Sequence, residues 1–129
     1  QKNPKLLIVE DTKDNQFLIN AFLEKTNYDI TFADNGKMAL DYFLNNHYDL
    51  ILMDIQMPVM DGLEATRHIR VLQKEAGLFP QCAIVGLSAH AMSGDRERYL
   101  SEGMLDYLTK PIRTAALEAV LDWCRENRK

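Results

Sequence analysis

Little in this sequence could staple it shut or carry it across a membrane. Its only cysteines, Cys82 and Cys124, lie far apart and have no CxxC companion. No disulfide framework is expected from such a pair, and both read as reduced, buried thiols. No apolar run approaches the roughly 20 residues that span a bilayer, and no signal peptide is read at the start. Positive charge is not in excess either: 15 Lys and Arg stand against 19 Asp and Glu, a net charge of −4. Without a basic stripe, direct nucleic-acid contact is not expected, nor is membrane contact by this chain. Four prolines and six glycines are too scattered to mark a linker or a low-complexity segment, and no internal repeat is present. What remains is 129 residues, 47% of them hydrophobic, the size of one ordinary globular domain. Such a chain buries roughly two thirds of its unfolded surface and needs no structural metal to fold. It begins at Gln1 rather than Met. Residues 1–129 are therefore expected to be a single domain from a longer multidomain protein.

Short apolar runs alternate with amphipathic stretches along the chain. Leu6-Leu7-Ile8-Val9 and Leu50-Ile51-Leu52-Met53 are continuously apolar, as befits strands buried on both faces. Ala83-Ile84-Val85-Gly86-Leu87 reads as a third such strand, Tyr28 to Ala33 as an alternating one, and Asp106-Tyr107-Leu108 as a short last one. Helices are expected from about Lys13 to Lys25, after Asn35-Gly36 through Met38, Leu40, Phe43 and Leu44, and after Asp61-Gly62 through Ala65, Ile69 and Leu72. Gly77 and Pro80 close the third of these. A polar helix follows near Ser93 to Glu102, and the last carries Leu117, Val120, Leu121 and Cys124 on one face. In the first helix Leu18, Ile19, Phe22 and Leu23 form the expected core stripe, with Phe17 pointing away. Five βα units with hydrophobic strands predict an α/β fold, a doubly wound parallel sheet with helices on both faces.

Polar residues gather where these strands end. Glu10-Asp11 follow the first, Asp54 the third, Ser88 the fourth, and Lys110 comes just after the fifth. A lone Asp after a strand is ordinarily a helix cap or turn residue. Open parallel sheets, however, bind ligands beyond the carboxyl ends of their strands, and a parallel arrangement makes all of these groups converge. Three carboxylates together call for a cation, and an all-oxygen donor set suits Mg2+ better than Zn2+. Ser88 and Lys110 suit an anion, one by hydrogen bond and the other by charge. A metal, a lysine, a hydroxyl and a central carboxylate suit phosphoryl transfer, with the carboxylate as nucleophile.

Four stretches carry a family resemblance: Ile8-Val9-Glu10-Asp11, Leu52-Met53-Asp54-Ile55-Gln56-Met57-Pro58-Val59-Met60-Asp61-Gly62, Leu87-Ser88-Ala89, and Asp106-Tyr107-Leu108-Thr109-Lys110-Pro111-Ile112. Together they resemble the response-regulator receiver domain of two-component signalling over essentially the whole chain. The resemblance implies a flavodoxin-like sheet of strand order 2-1-3-4-5. It implies that Asp54 accepts a phosphoryl group from a histidine of a partner protein. Asp11 would bind Mg2+ directly, with Glu10 assisting through water, and Asp54 and the backbone carbonyl of Gln56 would complete the protein ligands. Lys110 and Ser88 would meet the phosphoryl oxygens, Tyr107 would act as an aromatic switch beside Ser88, and the Lys110–Pro111 bond would be cis. Gln56 and His90 would tune the lifetime of the phosphorylated state. Phe17, Pro111 and Ile112 would form an apolar docking patch for a partner helix. The helix after the fourth strand, with few apolar anchors, would be the part that moves.

The run from Leu87 to Arg96 is similar to receivers attached to hybrid sensor histidine kinases, which pass the group to a histidine phosphotransfer protein. The expected partners are thus a histidine kinase, a phosphotransfer protein, or both. The expected location is cytoplasmic, even where the parent protein is membrane-anchored. Catalysis is confined to the domain's own phosphorylation and dephosphorylation, and any kinase activity belongs to the parent. Three rivals stand beside this reading. A haloacid-dehalogenase-like phosphatase needs a second Asp where Gln56 stands. A flavodoxin-like electron carrier needs a hydroxyl-rich phosphate loop where Glu10-Asp11 would repel the ligand. A non-phosphorylated, receiver-like binding module would have no use for the intact acidic pair, Asp54 and Lys110.

Overall fold

A computed structural model describes residues 4–57, 60–77, 82–89 and 92–127. Five strands and five helices alternate: β1 Lys5–Val9, α1 Lys13–Leu23, β2 Asp29–Ala33, α2 Gly36–Asn45, β3 Leu50–Asp54, α3 Gly62–Ala76, β4 Ala83–Ser88, α4 Asp95–Ser101, β5 Asp106–Thr109 and α5 Thr114–Asn127. The strands form one sheet in the order β2-β1-β3-β4-β5, and every pairing is parallel. This is the doubly wound order the resemblance implied.

The continuously apolar strands are explained by a core on each face. Leu7, Val9, Ile51, Met53 and Ile84 point to the side where α2 and α3 add Ala39, Leu63, Ala65 and Ile69. Leu6, Ile8, Leu50, Leu52, Val85 and Leu87 point to the other, against Ile19 and Leu23 of α1 and Leu117, Leu121 and Cys124 of α5. Successive strand residues face opposite ways, so a strand between two helical layers must be apolar throughout. Cys82 and Cys124 are both buried, as expected. Burial holds the Cys82 thiol above its ordinary pKa.

The expected core stripe of α1 needs correction. Leu18 is 65% exposed, beside Phe17 at 71%. The buried residues of α1 are Gln16, Ile19 and Leu23, one face at i, i+3 and i+7. A polar Gln16 on that face made the helix seem rotated by one position. Pro80, expected to close α3, lies outside the described residues; Gly77 caps that helix in the left-handed region at φ 67.

Gly62 opens α3 directly beneath the end of β3. A Cβ there would lie 2.2 Å from the Asp54 carbonyl oxygen, a backbone atom that cannot step aside. Gly62→Ala is expected to cost about 3 kcal/mol or more, read as a lower urea midpoint. A loss within the range of an ordinary surface change would show that the two segments can part freely.

Candidate functional site

Parallel register brings the strand-end groups to one edge. Val9 pairs with Met53, so Glu10 emerges beside Asp54. Asp54 pairs with Leu87, and Ser88 with Thr109. The Ser88 carbonyl accepts the Lys110 amide at 2.8 Å, which sets the lysine's main chain at the same edge. The Lys110–Pro111 peptide is cis, as the resemblance implied.

Lys110 is the hub. Its Nζ donates to Asp54 Oδ2 at 2.9 Å and lies 2.9 Å from Glu10 Oε1. The second contact is an ion pair outside hydrogen-bonding geometry, so the buried Oε1 carries no hydrogen bond. Glu10 Oε2, by contrast, accepts from the Thr12 amide at 3.2 Å, the Thr12 hydroxyl at 3.0 Å and Asn15 Nδ2 at 3.2 Å. Asp54 Oδ1 accepts the Gln56 amide at 3.2 Å.

Burial sets the electrostatics. It raises the Asp54 carboxyl to about 6, with the charge of Glu10 adding to the rise and Lys110 and the Gln56 amide opposing it. Burial also pushes Glu10 up, but Lys110, Asn15 and Thr12 together outweigh it and hold the carboxyl below its usual range. Burial lowers Lys110, and its two carboxylate partners more than reverse this. Among the described residues, Glu10, Asp11 and Asp54 offer carboxylate oxygens within 4.8 Å of one another, Asp11 being the most open. Three carboxylates around one ammonium leave negative charge uncompensated, and one buried oxygen lacks a hydrogen bond. That donor set fits a hard divalent cation.

The other expected residues fall as follows. Ser88 is fully buried at the end of β4. Tyr107 is half-buried, its ring edge-on to Tyr99 at 5.3 Å between centroids. The Gln56 side chain is exposed. His90 and Pro58 lie outside the described residues. Pro111 and Ile112 line a groove with Asn15, Leu18, Ile19 and Phe22; Leu18, not Phe17, is the residue of the pair that lines it.

An acidic, oxygen-only cluster joined to a lysine at the carboxyl edge of a 2-1-3-4-5 sheet defines a phosphoacceptor class of signalling domain. The chain belongs to the response regulator receiver domain family, whose model matches residues 6–122. It is 44% identical to hybrid signal transduction histidine kinase I of Dictyostelium discoideum, over 96% of this chain and 8% of that protein. The chain thus spans less than a tenth of that relative's length. A co-crystal structure of the Saccharomyces cerevisiae histidine phosphotransfer signaling protein Ypd1 and the receiver domain of its downstream response regulator Ssk1 matches with a TM-score of 0.90. The identity there is 33%, over 99% of this chain and 93% of that one. The receiver domain of sensor histidine kinase PA1611 from Pseudomonas aeruginosa PAO1, solved with magnesium coordinated in its active-site cleft, matches at 39% identity. Its TM-score is 0.82, covering 95% of this chain and 98% of that one. Among the described residues, no helix is long and apolar enough to cross a membrane.

Proposed function

We propose that Asp54 accepts a phosphoryl group from a phosphohistidine of a partner protein, and that the domain then switches conformation or relays the group to a histidine phosphotransfer protein. The observation that carries this is a buried Asp54 held 2.9 Å from Lys110 with Glu10 and Asp11 beside it. An Asp54 oxygen forms the new O–P bond as the P–N bond breaks and the imidazole departs. Lys110 exchanges its contact with Asp54 Oδ2 for the phosphoryl oxygens, and the Ser88 hydroxyl donates to them. Tyr107 follows Ser88 inward. The Gln56 amide keeps Asp54 Oδ1 oriented. Glu10, Asp11, Asp54 and the Gln56 carbonyl would hold Mg2+, which supplies charge neutralisation for the transferring group. Gln56, whose side chain is exposed, and His90 tune how long the group persists. The relatives' lengths support placing this domain within a longer signalling protein, alongside the kinase that charges it.

The test supplies a small phosphodonor, such as acetyl phosphate, with Mg2+. One added phosphoryl group is expected by mass spectrometry, and tandem fragmentation should assign it to Asp54. Absence of labelling, or labelling elsewhere, removes the proposal. Turnover of small phosphate esters would instead favour the phosphatase reading, which the Gln56 position disfavours.

Docking is assigned to the groove between α1 and the loop after β5, with Leu18, Pro111 and Ile112 inside it and Phe17 exposed on the same helix. Phe17→Ser and Leu18→Ser should change stability little, because both side chains are largely exposed. Each should slow transfer from a histidine phosphotransfer protein by about 10-fold and leave labelling by acetyl phosphate unchanged. Equal slowing with both donors would point to the reaction site rather than docking.

A further inference from the structure

Gln16 is a polar residue on the buried face of α1, in line with Ile19 and Leu23. An apolar side chain there would gain from burial, whereas a buried amide is tolerated only where its protons are bonded. Both protons of Nε2 are in use. One goes to the Glu10 carbonyl at 2.7 Å and the other to Asp34 Oδ1 at 2.9 Å. Lys13 Nζ holds the same Asp34 oxygen at 2.9 Å. The Glu10 amide donates to the Ala33 carbonyl at 3.0 Å. The ends of β1 and β2 are thus joined twice, once directly and once through α1.

The carbonyl that Gln16 holds belongs to the peptide between Glu10 and Asp11. A peptide group is planar, so fixing its oxygen fixes the plane that carries both α-carbons. Glu10 itself is committed: Oε1 lies 2.9 Å from Lys110 Nζ, and Oε2 accepts from Thr12 and Asn15. Asp11 has no side-chain hydrogen bond or ion pair among the described residues, yet it offers an oxygen within 4.8 Å of the two buried carboxylates. It is the carboxylate of the cluster left open to a cation, and its place is set by the main chain from which it hangs. We infer that Gln16 is a positioning residue, which clamps the Glu10–Asp11 peptide to Asp34 and so holds the Asp11 carboxylate where a divalent cation meets it. The inference rests on the cation-binding reading above. Gln16 itself touches neither the cation nor the phosphoryl group. A polar residue on a core face is a local rule broken where the site gains from it.

Calorimetric titration of the whole chain with Mg2+ tests this in wild type, Gln16→Met, Asp34→Asn and Asp34→Ala, with urea unfolding in EDTA to verify that each variant folds. Methionine matches glutamine in length and is equally uncharged, but it donates nothing, so a change in affinity reports position rather than field. Gln16→Met should bind Mg2+ about 10-fold more weakly, a size typical of residues that orient metal ligands. Its uptake from acetyl phosphate should return to the wild-type rate once Mg2+ is saturating. The Asp34 variants leave the core intact, because that side chain is 44% exposed. Both remove the same charge, and only asparagine keeps an oxygen to accept from Gln16, so Asp34→Ala should bind Mg2+ more weakly than Asp34→Asn. That pair decides the matter should Gln16→Met not fold. Wild-type affinity in Gln16→Met, equal affinity in the two Asp34 variants, or uptake that stays slow in Gln16→Met at saturating Mg2+ overturns the inference and leaves the cation site standing. A wild type that binds no Mg2+ overturns both.

Discussion

Asp54→Asn is expected to abolish phosphoryl uptake and, in metal-free buffer at pH 8, to stabilise the domain by about 2 kcal/mol. The first effect follows from chemistry: an amide has no anionic oxygen to attack phosphorus. The second follows from burial. The Asp54 carboxyl is held at about 6 in the fold against 3.8 for an ordinary aspartate. The folded state therefore binds its proton more tightly, and stability falls as pH rises from about 4 to about 6. At roughly 1.4 kcal/mol per pH unit the full cost is about 3 kcal/mol, and it is complete above that window. Asparagine removes the cost but buries an amide NH2 that needs partners of its own, which leaves the smaller net gain. Glu10, whose carboxyl is lowered, contributes stability that is lost as pH falls through its folded pKa. It does so in both proteins and largely cancels from their difference. Urea unfolding in EDTA at pH 8, 6 and 4 should show the gap between the proteins shrinking with acidification. Added Mg2+ should favour the wild type, because the cation needs the Asp54 oxygen. An asparagine variant less stable at pH 8 would mean that the Lys110 contact outweighs the burial of charge.

The sheet was legible because its strands sit between two helical layers. Leu6 to Val9 and Leu50 to Met53 carry no polar residue, and only a doubly covered parallel sheet asks for that. The site was legible because parallel strands deliver their last residues to one edge, so Glu10, Asp54 and Lys110 needed no contact information to be grouped. Contacts between elements were not legible. Leu18 reads as core by spacing, but the buried Gln16 turns α1 so that Leu18 faces the groove. Nothing in the sequence singles out Arg70 of α3. It donates from Nε and Nη2 to the Gly103 carbonyl at 3.0 and 2.7 Å, and from Nη1 to the Cys82 carbonyl at 2.9 Å. With Arg67 paired to Glu102 at 2.6 Å, it fastens the carboxyl end of α4 to α3. The expectation of a loosely held α4 is thereby refined. Tyr99 is its only buried residue, and Arg96 near its start pairs with Asp106 at 3.4 Å, so the helix is held mostly by polar contacts. Thr12 and Asn15 both turn their side chains onto Glu10, which residue spacing alone does not show.

Lys110→Met should slow phosphoryl uptake from a small donor about 100- to 1000-fold, the usual size of losing one preorganised charge at a reacting group. Methionine keeps the length and apolar stem of the side chain, so the change isolates the ammonium. Two consequences of its loss act together. The phosphoryl oxygens lose their cation, and the Asp54 carboxyl, which Lys110 holds down against burial and Glu10, rises further. A larger fraction of the nucleophile is then protonated near neutral pH, so the pH–rate profile should move to higher pH as well as fall. In metal-free buffer the variant also leaves Glu10 and Asp54, whose side chains are 0% and 2% exposed, without a counter-charge. Removing one partner of such a buried set costs about 3 kcal/mol or more. The folded variant holds the Asp54 proton more tightly than the wild type does, so its stability should fall more steeply as pH rises and recover on acidification. Mg2+ should restore much of the stability, because a cation again faces the carboxylates, without restoring the rate, because no ammonium reaches the phosphoryl group. Recovery of both by Mg2+ would reduce Lys110 to a neutralising charge, whereas recovery of stability alone assigns it to the transferring group itself.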